Sequence, residues 1–251
     1  MKKKNPYMIK ILEVADKIIM YLLKTDMEPQ SPSEIARNLG LTQSRVFRVL
    51  KSLEELEYVY SYKGRFVLGV KFSDVALKMK RVEDSFYVKS ILLDLTQLTG
   101  DTAHLFLPLK DKAVCTAQFS GDNSLQVAKV IGERIPMNVA AAPLVLLAYL
   151  TEKEQESIIE NLEMVAFTEN TITDREELRN RLKQIRSQGY AIDNEEYEIG
   201  ACSVSAPIFD KGYVGAALSI DIPHARFGED RREQTIKLVV NAAQKISESL
   251  A

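Results

Sequence analysis

Between Met8 and Leu56, hydrophobic residues recur at intervals of three and four, the spacing of one face of an α-helix. The pattern predicts one amphipathic helix before Pro29 and another after Thr42. Between them lies a shorter segment with fewer apolar positions. The two apolar faces consist of Met8, Ile11, Leu12, Ala15, Ile18, Ile19 and Leu22, and of Val46, Val49, Leu50, Leu53 and Leu56.

The short middle segment carries start and stop signals of its own. Ser31 is a suitable N-cap, Pro32 suits the first helical turn, and Glu34 completes a capping box with Ser31. Gly40 suits the left-handed residue that ends a helix. Thr42 is a suitable N-cap for the helix that follows. The sequence therefore predicts two helices separated by a tight turn.

A β-hairpin is predicted directly after the third helix. Tyr58–Tyr62 and Arg65–Leu68 are rich in aromatic and β-branched residues, and Lys63 and Gly64 separate them. A two-residue connection of this kind suits a tight hairpin turn. Two helices, a tight turn and a hairpin together predict a winged helix-turn-helix.

The rest of the chain interleaves strand-like runs with helical ones, and its hydrophobic pattern predicts an α+β domain with a central antiparallel sheet. Thr173 and Glu176 are predicted to form a second capping box. Strands are predicted at 102–109, 113–119, 125–131, 190–193, 201–209 and 213–221, and helices at 88–98, 141–150, 152–161, 173–188 and 229–250.

A mixed stretch separates these two parts. Leu77, Met79 and Val82 alternate with charged residues there, which indicates an exposed connecting helix. We predict a DNA-binding domain over residues 1–70, a linker helix over 71–90 and a second domain over 91–251.

Charge is divided unevenly along the chain. Residues 1–80 carry a net charge of +6 and residues 81–251 a net charge of −8, although the whole chain has a net charge of −2. Such an asymmetry indicates that the basic part meets a polyanion.

The two cysteines are too few for a disulfide framework, and no apolar run reaches the length of a membrane span. We therefore expect a cytoplasmic protein without a membrane partner.

The third helix has the composition that entry into the major groove of DNA requires. Arg45 and Arg48 have the fork geometry that pairs with guanine, and Gln43 can pair with adenine. Hydroxyl groups near the helix start and the basic, aromatic hairpin tip suit phosphate contacts. The predicted DNA-binding residues are Ser33, Thr42, Gln43, Ser44, Arg45, Phe47, Arg48, Lys51, Tyr62, Lys63 and Arg65.

These segments resemble the IclR family of transcription regulators. The resemblance is carried by 34–41, 44–50, 53–59 and the Phe66-Val67-Leu68-Gly69 run, and it continues through 132–137, 189–200, 203–209 and 215–220. It implies a winged helix-turn-helix domain joined by a linker helix to a GAF-like domain that binds small organic effectors. The implied assembly is a homodimer, or a tetramer, on double-stranded operator DNA.

The residues of the second domain are compatible with such a pocket. Strand side chains alternate, so Ala201, Ser203 and Ser205 share one face. Ala217, Ser219 and Asp221 share a face on the neighbouring strand, and small residues with hydroxyl groups leave room for a ligand. Carried over from the resemblance, the effector contacts are Val127, Ala141, Ala142, Asp193, Ala201, Ser203 and Ser219.

One stretch departs from the family pattern. The family commonly has a hydroxyl residue, a glycine and a basic residue at the start of the pocket helix, whereas residues 139–145 here are Val-Ala-Ala-Ala-Pro-Leu-Val. An anionic effector would then depend on backbone N–H groups and serines. A more apolar ligand, or none, stays open.

Other functions are weighed against regulation. A redox enzyme of GAF-like fold could use Cys115 or Cys202, but no resolving cysteine or activating base is evident. A regulator that lacks a ligand and responds to a protein partner is the other alternative. His104 and His224 have no metal-ligand spacing, and Glu195 and Glu196 have no accompanying nucleophile. We expect no metal, cofactor or catalytic residue.

Overall fold

A computed structural model describes residues 7–25, 27–72 and 86–250 of the chain. Contacts divide the chain into two compact units, residues 1–80 and residues 81–251. The predicted linker helix over 71–90 falls mostly outside the described residues.

The first unit is a winged helix-turn-helix. It contains α1 (Lys10–Leu23), α2 (Pro32–Leu39), α3 (Gln43–Glu55), β1 (Val59–Tyr62) and β2 (Arg65–Leu68). The β1–β2 hairpin is antiparallel, and Gln30 adds a bridge to Phe66 in front of α2. The predicted apolar faces meet in one core that includes Val14, Ile18, Ile35, Leu50 and Phe66.

The second unit is an α+β domain around one antiparallel sheet in the order β5-β4-β3-β8-β7-β6. The strands are β3 (Thr102–Leu109), β4 (Lys112–Phe119), β5 (Arg134–Pro136), β6 (Ala191–Asn194), β7 (Ala201–Asp210) and β8 (Tyr213–Pro223). The helices are α4 (Phe86–Thr99), α5 (Ala141–Tyr149), α6 (Glu152–Asn161), α7 (Arg175–Gln188) and α8 (Glu229–Leu250).

Alternation along the strands gives the sheet two different faces. One face packs against α4 and α8 through an apolar core that includes Leu105, Val204, Leu218, Ile220 and Val239. The other face packs against α5 and α7, and its apolar part includes Phe106 and Ala217. The remaining positions of this second face are mostly polar, and they include the candidate site residues considered below.

The predicted strand at 125–131 is wrong. Its backbone is bonded by side chains instead of a neighbouring strand: the amide N–H of Lys129 donates to His104 Nε2 at 3.1 Å. The side chain of Gln126 makes further bonds: its Oε1 accepts from Thr102 Oγ1, and its Nε2 donates to the carbonyl of Asn123. The strand that pairs with β4 is the short β5, which begins at Arg134. Residues 120–133 thus form an irregular segment.

The predicted capping box of Thr173 and Glu176 is also wrong. Helix α7 begins one residue later, with Asp174 as N-cap, and Asp174 Oδ1 accepts from the amide of Glu177 at 2.8 Å. The pair Asp174 and Glu177 has the same spacing as the predicted pair, and a carboxylate satisfies the helix N-terminus with a full charge.

Candidate nucleic-acid interface and effector site

The turn between α2 and α3 is fixed by the residues that predicted it. Ser31 Oγ accepts from the amide of Glu34, and Glu34 Oε2 accepts from the amide of Ser31 at 2.7 Å. Gly40 ends α2 with a φ of +63°, and the amide of Leu41 donates to Ala36. The capping box and the glycine together set the angle at which α3 leaves the turn.

Helix α3 presents a polar face to solvent. Its apolar residues Val46, Val49 and Leu50 are buried in the core of the first unit. Most of the predicted contact residues are exposed, and Phe47 stands out because 45% of this large apolar side chain remains accessible. The exposed set is Thr42, Gln43, Ser44, Phe47, Arg48 and Lys51, with Arg45 half-buried beside them; Ser33 is exposed on α2.

Two side chains of this face differ from the expectation. Thr42 occupies the N-cap position of α3, but its hydroxyl makes no capping hydrogen bond. The predicted N-cap position is therefore confirmed, but the hydrogen bond expected from its side chain is not formed. Lys51 pairs with Glu54 on its own helix, with Nζ 2.6 Å from Oε2. The positive charge of Lys51 is therefore partly balanced by Glu54, which the sequence analysis did not anticipate.

The hairpin tip is a tight turn in which Lys63 and Gly64 both have positive φ, +50° and +77°. This is the pattern of a type I′ turn, which matches the twist of paired strands. The Lys63 ammonium lies 5.2 Å from the centroid of the exposed Tyr62 ring. A cation and an aromatic ring are therefore displayed together at the end of the hairpin.

Arg65 has a structural contact that the sequence did not reveal. Its Nη2 lies 2.8 Å from Glu34 Oε2, and its Nε donates to the carbonyl of Pro29 at 2.9 Å. These bonds tie the hairpin to the capping box of α2. Since part of its guanidinium is used in this way, Arg65 is less available to DNA than Lys63.

In the second unit, the structure brings the predicted polar effector residues together. Ser203 lies opposite Asp193 on β6 and opposite Asp221 on β8, and Ser205 lies opposite Ser219. Ala201 precedes them on the same face of β7. Ala141 and Ala142 begin α5, which packs on this face, and both are buried. Val127 is half-buried in the irregular segment between β4 and β5.

Four further residues of this site were not among the predicted contacts: His104, Lys129, Ser205 and Asp221. His104 Nδ1 lies 2.7 Å from Asp221 Oδ2, which also accepts from Ser219 Oγ at 3.1 Å. Because the amide of Lys129 donates to Nε2, that nitrogen carries no proton, and His104 is the neutral Nδ1–H tautomer. His104 thereby joins the sheet to the irregular segment.

Helix α5 begins with unusual backbone geometry. Ala140, its N-cap, has φ +60° and ψ 156°, a region that glycine favours. Residues held there cost of order 1–3 kcal/mol and persist only where their surroundings impose the conformation. The first N–H groups of α5, those of Ala141 and Ala142, have no partner within the helix. The strain therefore accompanies a helix N-terminus that is suited to an anion.

Burial shifts the ionisation of two carboxyl groups beside this site. Burial raises the pKa of Asp193 to about 7, and the charge of Asp221 adds to the effect. Burial also raises the pKa of Glu196 to about 8, with a contribution from Asp193. Glu196 Oε2 has no hydrogen-bond partner, although Arg181 lies 3.8 Å from Oε1. Both carboxyl groups therefore favour their neutral forms.

The raised pKa of Glu196 predicts how the stability of the second unit depends on pH. Between pH 4.5 and about 8 the folded state binds the Glu196 proton more tightly than the unfolded state, so stability should fall as pH rises through this window. Glu196→Gln should remove that loss. We expect the variant to gain about 2 kcal/mol over the unchanged protein at pH 8.5 and much less at pH 5, measured by urea unfolding. Exposed Glu169→Gln is the control, and an equal gain at both pH values would contradict the prediction.

Neither cysteine is set up as a nucleophile. Burial raises the pKa of both thiols to about 12. Cys202 alternates with Ala201 and Ser203 on β7 and so faces away from the candidate effector site, and its Sγ lies 3.5 Å from His224 Nδ1. A thiol with so high a pKa has almost no thiolate at neutral pH. The high pKa values of the Cys115 and Cys202 thiols argue against a redox enzyme that uses either cysteine.

In the ranges 7–25, 27–72 and 86–250, no group of three or more His, Cys, Asp or Glu side chains is arranged to hold a metal ion. Over the same ranges, no helix has the length and apolarity that a membrane crossing needs.

Comparison with known proteins decides the family. Residues 19–61 match the family "IclR helix-turn-helix domain", and residues 79–248 match "Bacterial transcriptional regulator IclR C-terminal". The chain belongs to the IclR family of transcription regulators. The resemblance noted from sequence motifs is confirmed, and with it the α+β fold and the role in DNA-binding regulation.

Individual IclR-family relatives agree with this assignment. KdgR of Escherichia coli K12 is 33% identical over 220 residues, covering 86% of this chain and 83% of the relative. The repressor AllR of the same strain is 32% identical, covering 95% and 89%. The crystal structure of the Thermotoga maritima IclR has a TM-score of 0.73 and 31% identity, covering 96% of this chain and 98% of its own.

Proposed function

We propose that this IclR-family chain binds a two-fold symmetric operator as a homodimer, in the cytoplasm, and that a small organic effector in its second unit changes its operator affinity. It is proposed to have no catalytic activity. One observation carries the proposal: the exposed polar face of α3 stands beside a type I′ hairpin that displays Lys63 and Tyr62. A dimer is favoured because its two winged helix-turn-helix units would contact the two half-sites of a symmetric operator.

The proposed contacts divide into two kinds. Arg48, Arg45 and Gln43 would contact base edges in the major groove, because their side chains offer paired donors or a donor–acceptor pair. Positioning on phosphate would come from Ser33, Thr42, Ser44 and Lys63, with Phe47 and Tyr62 supplying apolar contact. Lys51 and Arg65 would act mainly through the protein, because Glu54 and Glu34 already pair with them.

The effector part of the proposal is supported by a buried polar site. Ser205 Oγ is fully buried and has no hydrogen-bond partner, and an unpaired buried hydroxyl costs about 1–3 kcal/mol. A bound ligand would satisfy it. A fold relative from Microbacterium hydrocarbonoxydans, 22% identical with a TM-score of 0.77, has been solved in complex with 4-hydroxybenzoate. The effector would act by binding one arrangement of the dimer better than another.

Salt dependence tests the hairpin contact. If each Lys63 neutralises one phosphate, Lys63→Ala should lower the slope of log affinity against log salt by about 0.9 for each head bound. The matched control is Lys211→Ala, since Lys211 and Gly212 form the same kind of turn, with φ +49° and +86°, in the β7–β8 hairpin. Fluorescence anisotropy on duplex DNA measures both variants. An unchanged slope for Lys63→Ala would remove the hairpin from the interface.

Thermal shift tests the effector site. A screen of organic, sugar and aromatic acids should find a ligand that raises the unfolding midpoint of the unchanged protein. The Ser203→Ala, Ser219→Ala double variant should lose most of that rise while it keeps its DNA affinity. A full ligand-induced rise in the double variant would place the site elsewhere.

A further inference from the structure

The hairpin of the first unit is too small to fix its own position. Its strands β1 and β2 have four residues each, and a two-stranded hairpin without support is only marginally stable in water. The place of the Lys63–Gly64 turn relative to α3 is therefore decided by the contacts that the two strands make with the helices.

Strand β2 is tied to the start of α2. Phe66 exchanges two backbone hydrogen bonds with Gln30, at 2.8 and 2.9 Å. The neighbouring Arg65 places its Nη2 atom 2.8 Å from Glu34 Oε2. The same oxygen accepts from the amide of Ser31. One carboxylate oxygen of Glu34 therefore both caps α2 and holds the first residue of β2.

Strand β1 is tied to α3, the helix that carries the predicted base contacts. Ser61 Oγ donates to Glu54 Oε1, and Glu54 Oε2 pairs with Lys51. The hydrogen bond from Lys51, followed by the one from Ser61, lowers the pKa of Glu54, so its carboxylate is ionised at neutral pH. Neither Glu54 nor Ser61 was a predicted contact residue. Glu54 thus joins the exposed face of α3 to the hairpin.

Both ties meet the hairpin beside its turn. Tyr62 and Arg65 form the last register pair before the turn. Ser61 and Phe66 form the pair behind it. Ser61 is therefore two residues before Lys63 in the chain, and Arg65 is two residues after it. Ties this close to the turn leave its cation little freedom to move relative to α2 and α3.

The two tying carboxylates stand where negative charge opposes DNA binding. Each also uses a basic side chain, Arg65 or Lys51, that could otherwise neutralise a phosphate. If charge alone mattered, replacing such a carboxylate with an uncharged amide would raise DNA affinity. If position matters more, the same change would lower affinity, because a loosened hairpin must be ordered on binding. The sign of the change distinguishes the two effects.

We propose that Glu34 and Glu54 are positioning residues for DNA recognition, which hold the hairpin turn beside α3 so that Lys63 meets a phosphate while α3 lies in the major groove. Glu34 acts on β2 through Arg65, and Glu54 acts on β1 through Ser61. This deepens the proposed function and rests on it.

Variants of the full chain that cut one tie at a time test the proposal. Glu34→Gln weakens the pair with Arg65 but keeps the capping box, which glutamine also supports. Its matched control is Glu55→Gln, which removes the same charge from an exposed glutamate of α3. Ser61→Ala frees β1 from Glu54 without a change of charge, and Ser61→Thr, which keeps the hydroxyl group, is its control.

Affinity is measured for a duplex selected from a random pool by the unchanged chain. Glu34→Gln and Ser61→Ala should each weaken binding about fivefold, although Glu34→Gln removes a negative charge. Glu55→Gln and Ser61→Thr should not weaken it. The thermal midpoint of each variant without DNA shows that the variant is folded.

The salt dependence of binding gives a readout that a loss of stability would not move. In the unchanged chain, Lys63→Ala should lower the slope of log affinity against log salt by about 0.9 for each winged helix-turn-helix unit bound. In the Glu34→Gln and Ser61→Ala backgrounds the same change should lower the slope by about half as much or less. The reason is that the loosened turn no longer holds Lys63 on a phosphate.

Unchanged or higher affinity in both Glu34→Gln and Ser61→Ala would overturn the positioning role. A full effect of Lys63→Ala on the slope in both backgrounds would overturn it as well. An unchanged slope for Lys63→Ala in the unchanged chain would reject the hairpin contact together with the positioning role, and Arg48→Ala then shows whether α3 still binds DNA. Failure of the unchanged chain to select any duplex would reject the proposed function itself.

Discussion

Replacing Arg48 with alanine is expected to lower the free energy of specific operator binding by about 1–3 kcal/mol and to relax the preference for one base pair. The reason is geometric: Arg48 is exposed on α3, on a turn of helix whose opposite face is held in the core by Val49 and Leu50. Its two-pronged guanidinium matches the paired acceptors of guanine. The change is measured as affinity for a preferred duplex and for single-base variants of it.

Arg48→Lys is the matched control for this result. Lysine keeps the positive charge but lacks the planar fork. The lysine variant should therefore keep the salt dependence of binding and still lose discrimination at the same base pair. Equal discrimination by the unchanged protein and the alanine variant would show that Arg48 does not contact a base.

The largest expected effect on stability comes from Asp101, in the turn between α4 and β3. Its carboxylate is completely buried and pairs with Arg226 and Arg231, with Arg231 Nη2 2.7 Å from Oδ2. Asn123 also donates to it at 3.1 Å. Asp101→Ala should lower the free energy of unfolding of the second unit by about 3 kcal/mol, because two guanidinium groups lose their buried partner.

Urea unfolding followed by circular dichroism measures this loss, and Asp122→Ala, at an exposed aspartate nearby, is the control. The expected loss lies at the lower end of the range for breaking a buried ion pair, because Arg226 and Arg231 are partly exposed and can be hydrated once Asp101 is removed. A loss of similar size in both variants would show that the Asp101 pairs contribute little. Since Arg226 also donates to the carbonyl of Leu125, the variant should loosen the irregular segment over residues 120–133.

The elements that sequence predicted well are those with a local cause. Helix α8 was predicted with its observed bounds, and the Lys63–Gly64 turn follows from the adjacent turn residues. The prediction of a strand at 125–131 failed because a run rich in apolar residues suits a strand and equally suits an irregular segment that packs on a sheet. Its backbone partners, such as His104, lie on a distant strand, and no local signal identifies them.

The effector site shows the same limit. Alternation along β7 and β8 was enough to place Ser203 and Ser219 on one face, and it placed Asp221 there too. The register that sets Asp193 and Asp221 on either side of Ser203 depends on the order of strands in the sheet. His104 could have been found from its alternation with Thr102 and Phe106 on β3. Lys129 gave no such signal, because it lies outside any strand.

Helix α3 and its hairpin are proposed to recognise a symmetric DNA sequence. Selection from a random pool of duplex DNA with the full chain, at physiological salt, tests it most directly. We expect enrichment of one two-fold symmetric sequence, and loss or broadening of that sequence for Arg48→Ala. Recovery of no preferred sequence by the unchanged protein, together with binding that does not weaken as salt is raised, would contradict the account.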